Sequence, residues 1–148
     1  MALNFAGQVW EAVENEKLRR TRILRLSLKL LLLEMRKTVF EGGRLPYDTG
    51  NLRRSILVST TSMPLLAKED IEFADLNGSN LALIDTLEPG TTAYVGYQAA
   101  YALRVNYGFT GRDALGRVYN QTGYLFYESI QARWPALVRL ASQMVGNG

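Results

Sequence analysis

The chain has 148 residues, 47% of them apolar and 21% charged, a globular composition with enough apolar material to bury one core. It holds no cysteine, which excludes a disulfide scaffold and a thiolate metal site and permits a reducing compartment. It also holds no histidine, the commonest general base and transition-metal ligand, so an enzymatic role starts at a disadvantage.

The formal charge of +3 is unevenly spread: residues 1–64 carry 11 Lys/Arg against 6 Asp/Glu, and residues 65–148 carry 6 against 8. A basic half and an acidic half suit a nucleic-acid face, or a subunit that sets its basic side against a neighbour's acidic side.

In chain order, residues 1–41 read as one long helix. Gly7 is the only glycine or proline before Gly42, and Leu24, Leu28, Leu31, Met35 and Val39 recur at spacings of three and four. Leu30, Leu32 and Leu33 widen that stripe beyond the usual apolar arc, which predicts a helix buried on two faces. One face is expected on its own sheet; the other lies against either a second subunit or the same domain, and Leu24, Leu28 and Leu31 are the interface candidates. The apolar run 23–33 is about half the ~20 residues that span a bilayer and is broken by Arg25 and Lys29. No membrane partner is expected. Lys17, Arg19, Arg20, Arg22, Arg25 and Lys29 crowd the same helix over several faces, as a solvated sleeve or a phosphate-facing surface.

Glu41-Gly42-Gly43 predicts the helix end. Pro46, Asp48, Thr49 and Gly50 then form a rigid bend, with a fixed φ, an Asx or Ser/Thr turn and a glycine open to positive φ. A strand is expected over 52–60, and an acidic edge strand over 68–75, where Ile71 and Phe73 alternate with charge. The acidic residues there lack the spacing of a calcium loop. Residues 77–88 read as a short helix, with a strand competing, and 91–97 as a strand. Residues 101–108 read as a helical turn or strand ending in glycine. Residues 109–121 are expected to be an exposed loop; its glycines lack the Lys-Ser/Thr of a phosphate-binding loop, and Arg112 and Arg117 on it are candidate partner or DNA contacts. A last helix is predicted over 122–145, with Phe126, Ile130, Trp134, Leu137 and Ala141 on one stripe, a kink or restart at Pro135 and fraying over 146–148. The expected architecture is α+β in one domain: a long helix (1–41), a sheet-bearing middle (46–108) and a C-terminal helix (122–145).

The order of these features carries more than any one of them. A long helix leads into Pro46-Tyr47-Asp48-Thr49-Gly50-Asn51-Leu52-Arg53-Arg54-Ser55-Ile56, then Tyr101-Ala102 and Tyr107-Gly108, then an amphipathic helix. This resembles the tail-completion and neck proteins of long-tailed bacteriophages, the head-to-tail joining and tail-terminator group. The first motif is moderately specific; the second departs from the family pattern, with Asn106 where glutamate is common. The resemblance implies an antiparallel sheet flanked by two helices and a structural virion role at the head–tail junction, after assembly in the host cytoplasm. It implies no catalysis, no cofactor and no metal. It also implies a homo-oligomeric ring, typically six subunits, whose other partners are the connector or head-completion protein, the tail tube protein and the genomic DNA passing through the lumen. The competing class is an accessory DNA-binding module using Arg19, Arg20 and Arg22.

Overall fold

The computed structural model describes residues 4–112 and 114–146. Helix α1, Phe5–Arg36, starts at Asn4, whose side chain accepts from Gly7 N–H at 2.7 Å, filling one of the orphan donors of the first turn. Its 32 residues make a rod about 48 Å long. Helix α5, Phe126–Val145, packs antiparallel along it: Arg19 of α1 reaches the carbonyl of Gly146 just past the end of α5, and Glu34 pairs with Arg133 at 3.4 Å. The part of α1 before Arg19 runs on past α5 and leaves Phe5, Val9, Trp10, Val13 and Leu18 exposed.

Between these helices the chain forms α2 (Asn51–Arg54), β1 (Ile56–Ser59), α3 (Asn77–Asp85), β2 (Tyr94–Tyr97), α4 (Ala102–Tyr107), β3 (Gly108–Arg112) and β4 (Val118–Thr122). The α+β expectation holds, with the strands in two separate antiparallel pairs, β1 with β2 and β3 with β4. The core lies between α1, α5 and the β1–β2 pair, where Leu28, Leu32, Met35, Leu52, Ile56, Val58, Ile84 and Phe126 meet. Burying side chains of this kind contributes about 1.5–3 kcal/mol apiece before entropy is subtracted. The Tyr97 hydroxyl donates to the Met35 carbonyl at 2.7 Å, an acceptor that the last turn of α1 leaves open, and the Tyr97 ring meets Phe126 edge-on at 5.0 Å.

Several expectations are corrected. Helix α1 stops at Arg36, not near 41, because Lys37 is extended (φ −71°, ψ 114°); a separate 3-10 turn, Val39–Glu41, follows, and the left-handed glycine, Gly42, belongs to it. The strand expected from Leu52 starts at Ile56. Gly50 at φ +82° and the Thr49 hydroxyl, which accepts from Asn51 N–H, first turn the chain through α2, and Ser55 Oγ closes that turn on the Leu52 carbonyl. Residues 68–75 join no ladder: the Asn51 carboxamide takes the Ile71 carbonyl and the Phe73 amide instead, at 2.8 and 2.7 Å. The loop expected over 109–121 is instead mostly the β3–β4 hairpin, held by a Phe109–Tyr119 ring contact of 5.8 Å. Helix α5 begins at Phe126 and runs through Pro135 without restarting. Positions 147–148 of the expected frayed end lie outside the described residues.

Candidate functional site

Residues 46–52 of the first motif and Tyr101 of the second, about fifty residues apart in sequence, line one groove of about 1130 Å³. One wall is the bend, where Pro46, Asp48, Thr49, Gly50 and Leu52 follow one another. Further lining comes from α4 and the segment after β4, through Tyr101, Arg104, Val105 and Tyr124. Asp70, Ile71 and Glu72 form the rim, held there by the Asn51 carboxamide and by Arg54, whose Nε donates to the Phe73 carbonyl at 2.9 Å. Tyr47, Ile71 and Tyr124 expose apolar surface along the groove, and Asp48, Asp70 and Glu72 give it negative charge, answered by Arg104.

The remaining motif residues have other work. Arg53 does not line the groove; its guanidinium lies 5.3 Å from the Tyr47 ring and 3.6 Å from Glu41, bracing the bend from behind. Ser55 and Ile56 are buried at the start of β1, and Ala102 is buried in α4. Gly108 sits at φ +85°, where an added Cβ would meet the Gln121 carbonyl and the Gly123 amide. Only glycine lets β3 leave α4 so close to the strand it pairs with.

Asn106, the residue that departs from the family pattern, is 3% exposed and bonded on both sides. Its Oδ1 accepts from Tyr127 N–H at 2.9 Å, an orphan donor of the first turn of α5, and its Nδ2 donates to Glu128 at 2.9 Å. These bonds, Asn106 first and the Tyr107 hydroxyl after it, hold the Glu128 carboxyl below its usual value, and the same Glu128 pushes the Tyr107 phenol up. Leu125, next to this joint, is left-handed at φ 50° and is fixed there by its N–H on the Asn106 carbonyl.

The interface candidates on α1 lie against the chain's own domain, one of the two expected coverings. Leu28 is 5% exposed within the chain's own core, and Leu24 and Leu31 pack half-buried against it. Their stripe is wide because α5 and the β1–β2 pair both rest on α1. The candidate DNA-facing residues do not share one open face. Arg19 is half-buried, with Nε on the Gly146 carbonyl and Nη2 on Ser142 Oγ, where its charge answers the negative end of α5. Arg20 pairs with Glu16 at 3.2 Å, and Arg22 is exposed. Arg112 and Arg117 are exposed on the β3–β4 hairpin, at opposite sides of its turn.

Among the described residues no cluster of three or more acidic side chains could hold a metal ion, and no helix is long and apolar enough to cross a membrane. The class that fold and groove define is an α+β protein with a two-helix frame and a motif-lined groove. No protein-family model, curated protein or solved structure matches the chain.

Proposed function

We propose that this protein is a structural subunit of the phage head–tail junction, joining a homo-oligomeric ring between connector and tail tube and leaving a lumen for the genome. The observation that carries the reading is the meeting of residues 46–52 with Tyr101: both parts of the chain that mark the resemblance contribute to the lining of one groove. Residues selected for folding alone scatter through a core, whereas residues that serve one contact surface gather on it. Two of the groove's polar lining residues, Asn51 and Thr49, are committed to structure by bonds to backbone.

The DNA-binding reading rests on less, because Arg19 and Arg20 are already bonded within α1 and to the end of α5. Light scattering on a sizing column, with the protein alone and then mixed with isolated tails or DNA-filled heads, tests the proposal. A ring-sized species, or a monomer captured as a ring by either partner, is the expected result. A monomer that ignores both and binds duplex DNA with salt-dependent affinity would overturn it in favour of the DNA-binding module.

A further inference from the structure

Helix α1 outruns what covers it. Helix α5 ends beside Arg19, whose Nε donates to the Gly146 carbonyl at 2.9 Å. Residues 5–18 of α1 project past that point, and they leave Phe5 81% and Trp10 67% exposed, with Val9 and Val13 exposed between and beyond them. Their spacing is that of a packed face. At about 3.6 residues per turn, Phe5, Val9 and Val13 stand about five turns before Ile23, Ser27 and Leu31 on the same side of the helix. Of those, Ser27 is buried and Leu31 lies beside Ile130 and Trp134 of α5. The overhang therefore continues the stripe that α5 covers further along, with α5 no longer there. A helix this long holds in water mainly by packing its apolar face. With an aromatic side chain worth about 150–250 Å² of surface, Phe5, Val9, Trp10 and Val13 together expose roughly 450 Å², the size of patch that marks a contact site on a monomer.

We propose that this stripe packs antiparallel against the same stripe of a second copy, about a two-fold axis at Val9, so that Val9 meets its own counterpart and Phe5 meets the other copy's Val13. Area, charge and shape choose that occupant. Two such stripes with their polar flanks bury about 1,000 Å² in all, the lower end of a specific interface. The ridge Phe5-Val9-Val13 runs at four-residue spacing, and such ridges mesh with those of a reversed copy. Helix α1 has no acidic residue in its first turn. The antiparallel register brings Glu14 of one copy beside Asn4 of the other, where that helix begins and its dipole is positive. A parallel pair would instead set two positive helix ends together and crowd both folded bodies at one end. In the antiparallel pair the bodies lie at opposite ends, because residue 19 of one copy, where α5 stops, falls beyond the start of the other copy's helix. The contact is isologous and closes at two chains. It stands on the overhang and not on the neck reading.

In light scattering the wild-type protein should show a concentration-dependent species of twice its 16.6 kDa chain mass, and its melting temperature should rise with concentration. Val9→Asp sets two like charges face to face at the axis, at an exposed position outside the core. That variant should keep its circular dichroism, stay at chain mass and melt independently of concentration. Val9→Lys should behave the same way, and an equal mixture of the two should recover the two-chain species, as a contact of residue 9 with its own counterpart requires. Direction is read by cysteines, since the chain has none of its own. On mild oxidation Phe5→Cys mixed with Val13→Cys should give the mixed crosslink. Each alone should stay uncrosslinked, its two thiols being about 12 Å apart along the helices. Wild-type protein with no two-chain species up to its solubility limit, a Val9→Asp variant that still pairs, or cysteine variants that crosslink only with themselves would each overturn the proposal. A protein monomeric alone yet captured as a ring by heads or tails would overturn the pair and leave the neck reading standing.

Discussion

The carboxamide of Asn80 occupies the place of a neighbouring strand, and its removal has a cost that follows from the geometry. Asn80 is 3% exposed; its bonds to Val58 N–H and the Ile56 carbonyl are the ones a third strand would make. Asn80→Ala leaves one donor and one acceptor of β1 buried and unpaired, at about 1–3 kcal/mol each, less what a water admitted to the vacated space recovers. The expected loss is about 2–4 kcal/mol, a large share of the ~5–15 kcal/mol that holds a typical domain together. For a chain of this size that lowers Tm by about 6–12 °C. Urea unfolding followed by circular dichroism reads the loss as a lower midpoint at unchanged slope. Asn80→Asp separates hydrogen bonding from volume. It keeps the acceptor for Val58 but turns a second acceptor toward the Ile56 carbonyl, and burial raises its carboxyl pKa above the unfolded value. Only the protonated form can donate to Ile56, so this variant should be least impaired at acid pH and lose stability as pH rises through the raised pKa. An Asn80→Ala protein within about 0.5 kcal/mol of wild type, the range of ordinary surface changes, would refute the view that this amide seals the edge.

Gly108→Ala should destabilise by about 2–4 kcal/mol, since the left-handed backbone and the approach of Gln121 and Gly123 both refuse a Cβ; thermal melts and faster proteolysis within 108–122 would report it. Burial raises the Tyr97 phenol well above its ordinary 10.0, so the folded state keeps a proton that the unfolded state releases. The resulting stability is fully present below pH 10 and is lost as pH rises above it, by up to about 1.4 kcal/mol per pH unit. Tyr97→Phe should therefore give a flatter alkaline limb in urea midpoints, with about 1 kcal/mol lost at neutral pH from the missing bond to Met35; an unchanged alkaline limb would count against the assignment.

The long helices were legible because their signals are local and repeated: the three-and-four spacing of Leu24, Leu28, Leu31 and Met35, and that of Phe126, Ile130, Trp134 and Leu137, survive into α1 and α5. The bend at Gly50 was legible for the same reason, since glycine and the Thr49 hydroxyl act within a few residues. What the sequence hid is carried by side chains acting at a distance. Nothing near residues 68–75 says that Asn51 will take the hydrogen bonds a strand there would use. Nothing near Leu31 says that α5, about a hundred residues later, will bring Ile130 and Trp134 beside it. The hairpin had a signal that was outweighed: Phe109 and Tyr119 flank a glycine-containing turn, but five charged or glycine residues between them read as loop. The groove was half legible, as two motifs whose meeting depends on where α4 is anchored.

Three buried asparagines, Asn51, Asn80 and Asn106, each span about twenty residues of sequence with a pair of bonds; Asn51 and Asn80 meet backbone groups at both ends, and Asn106 meets the Tyr127 N–H and the Glu128 carboxylate. A side-chain amide offers the same donor and acceptor as a peptide group without another strand to carry it. This is how a sheet of only two strands is kept in place between two long helices: Asn80 closes the β1 edge, Asn51 ties down the segment after it, and Asn106 fixes the start of α5 against α4.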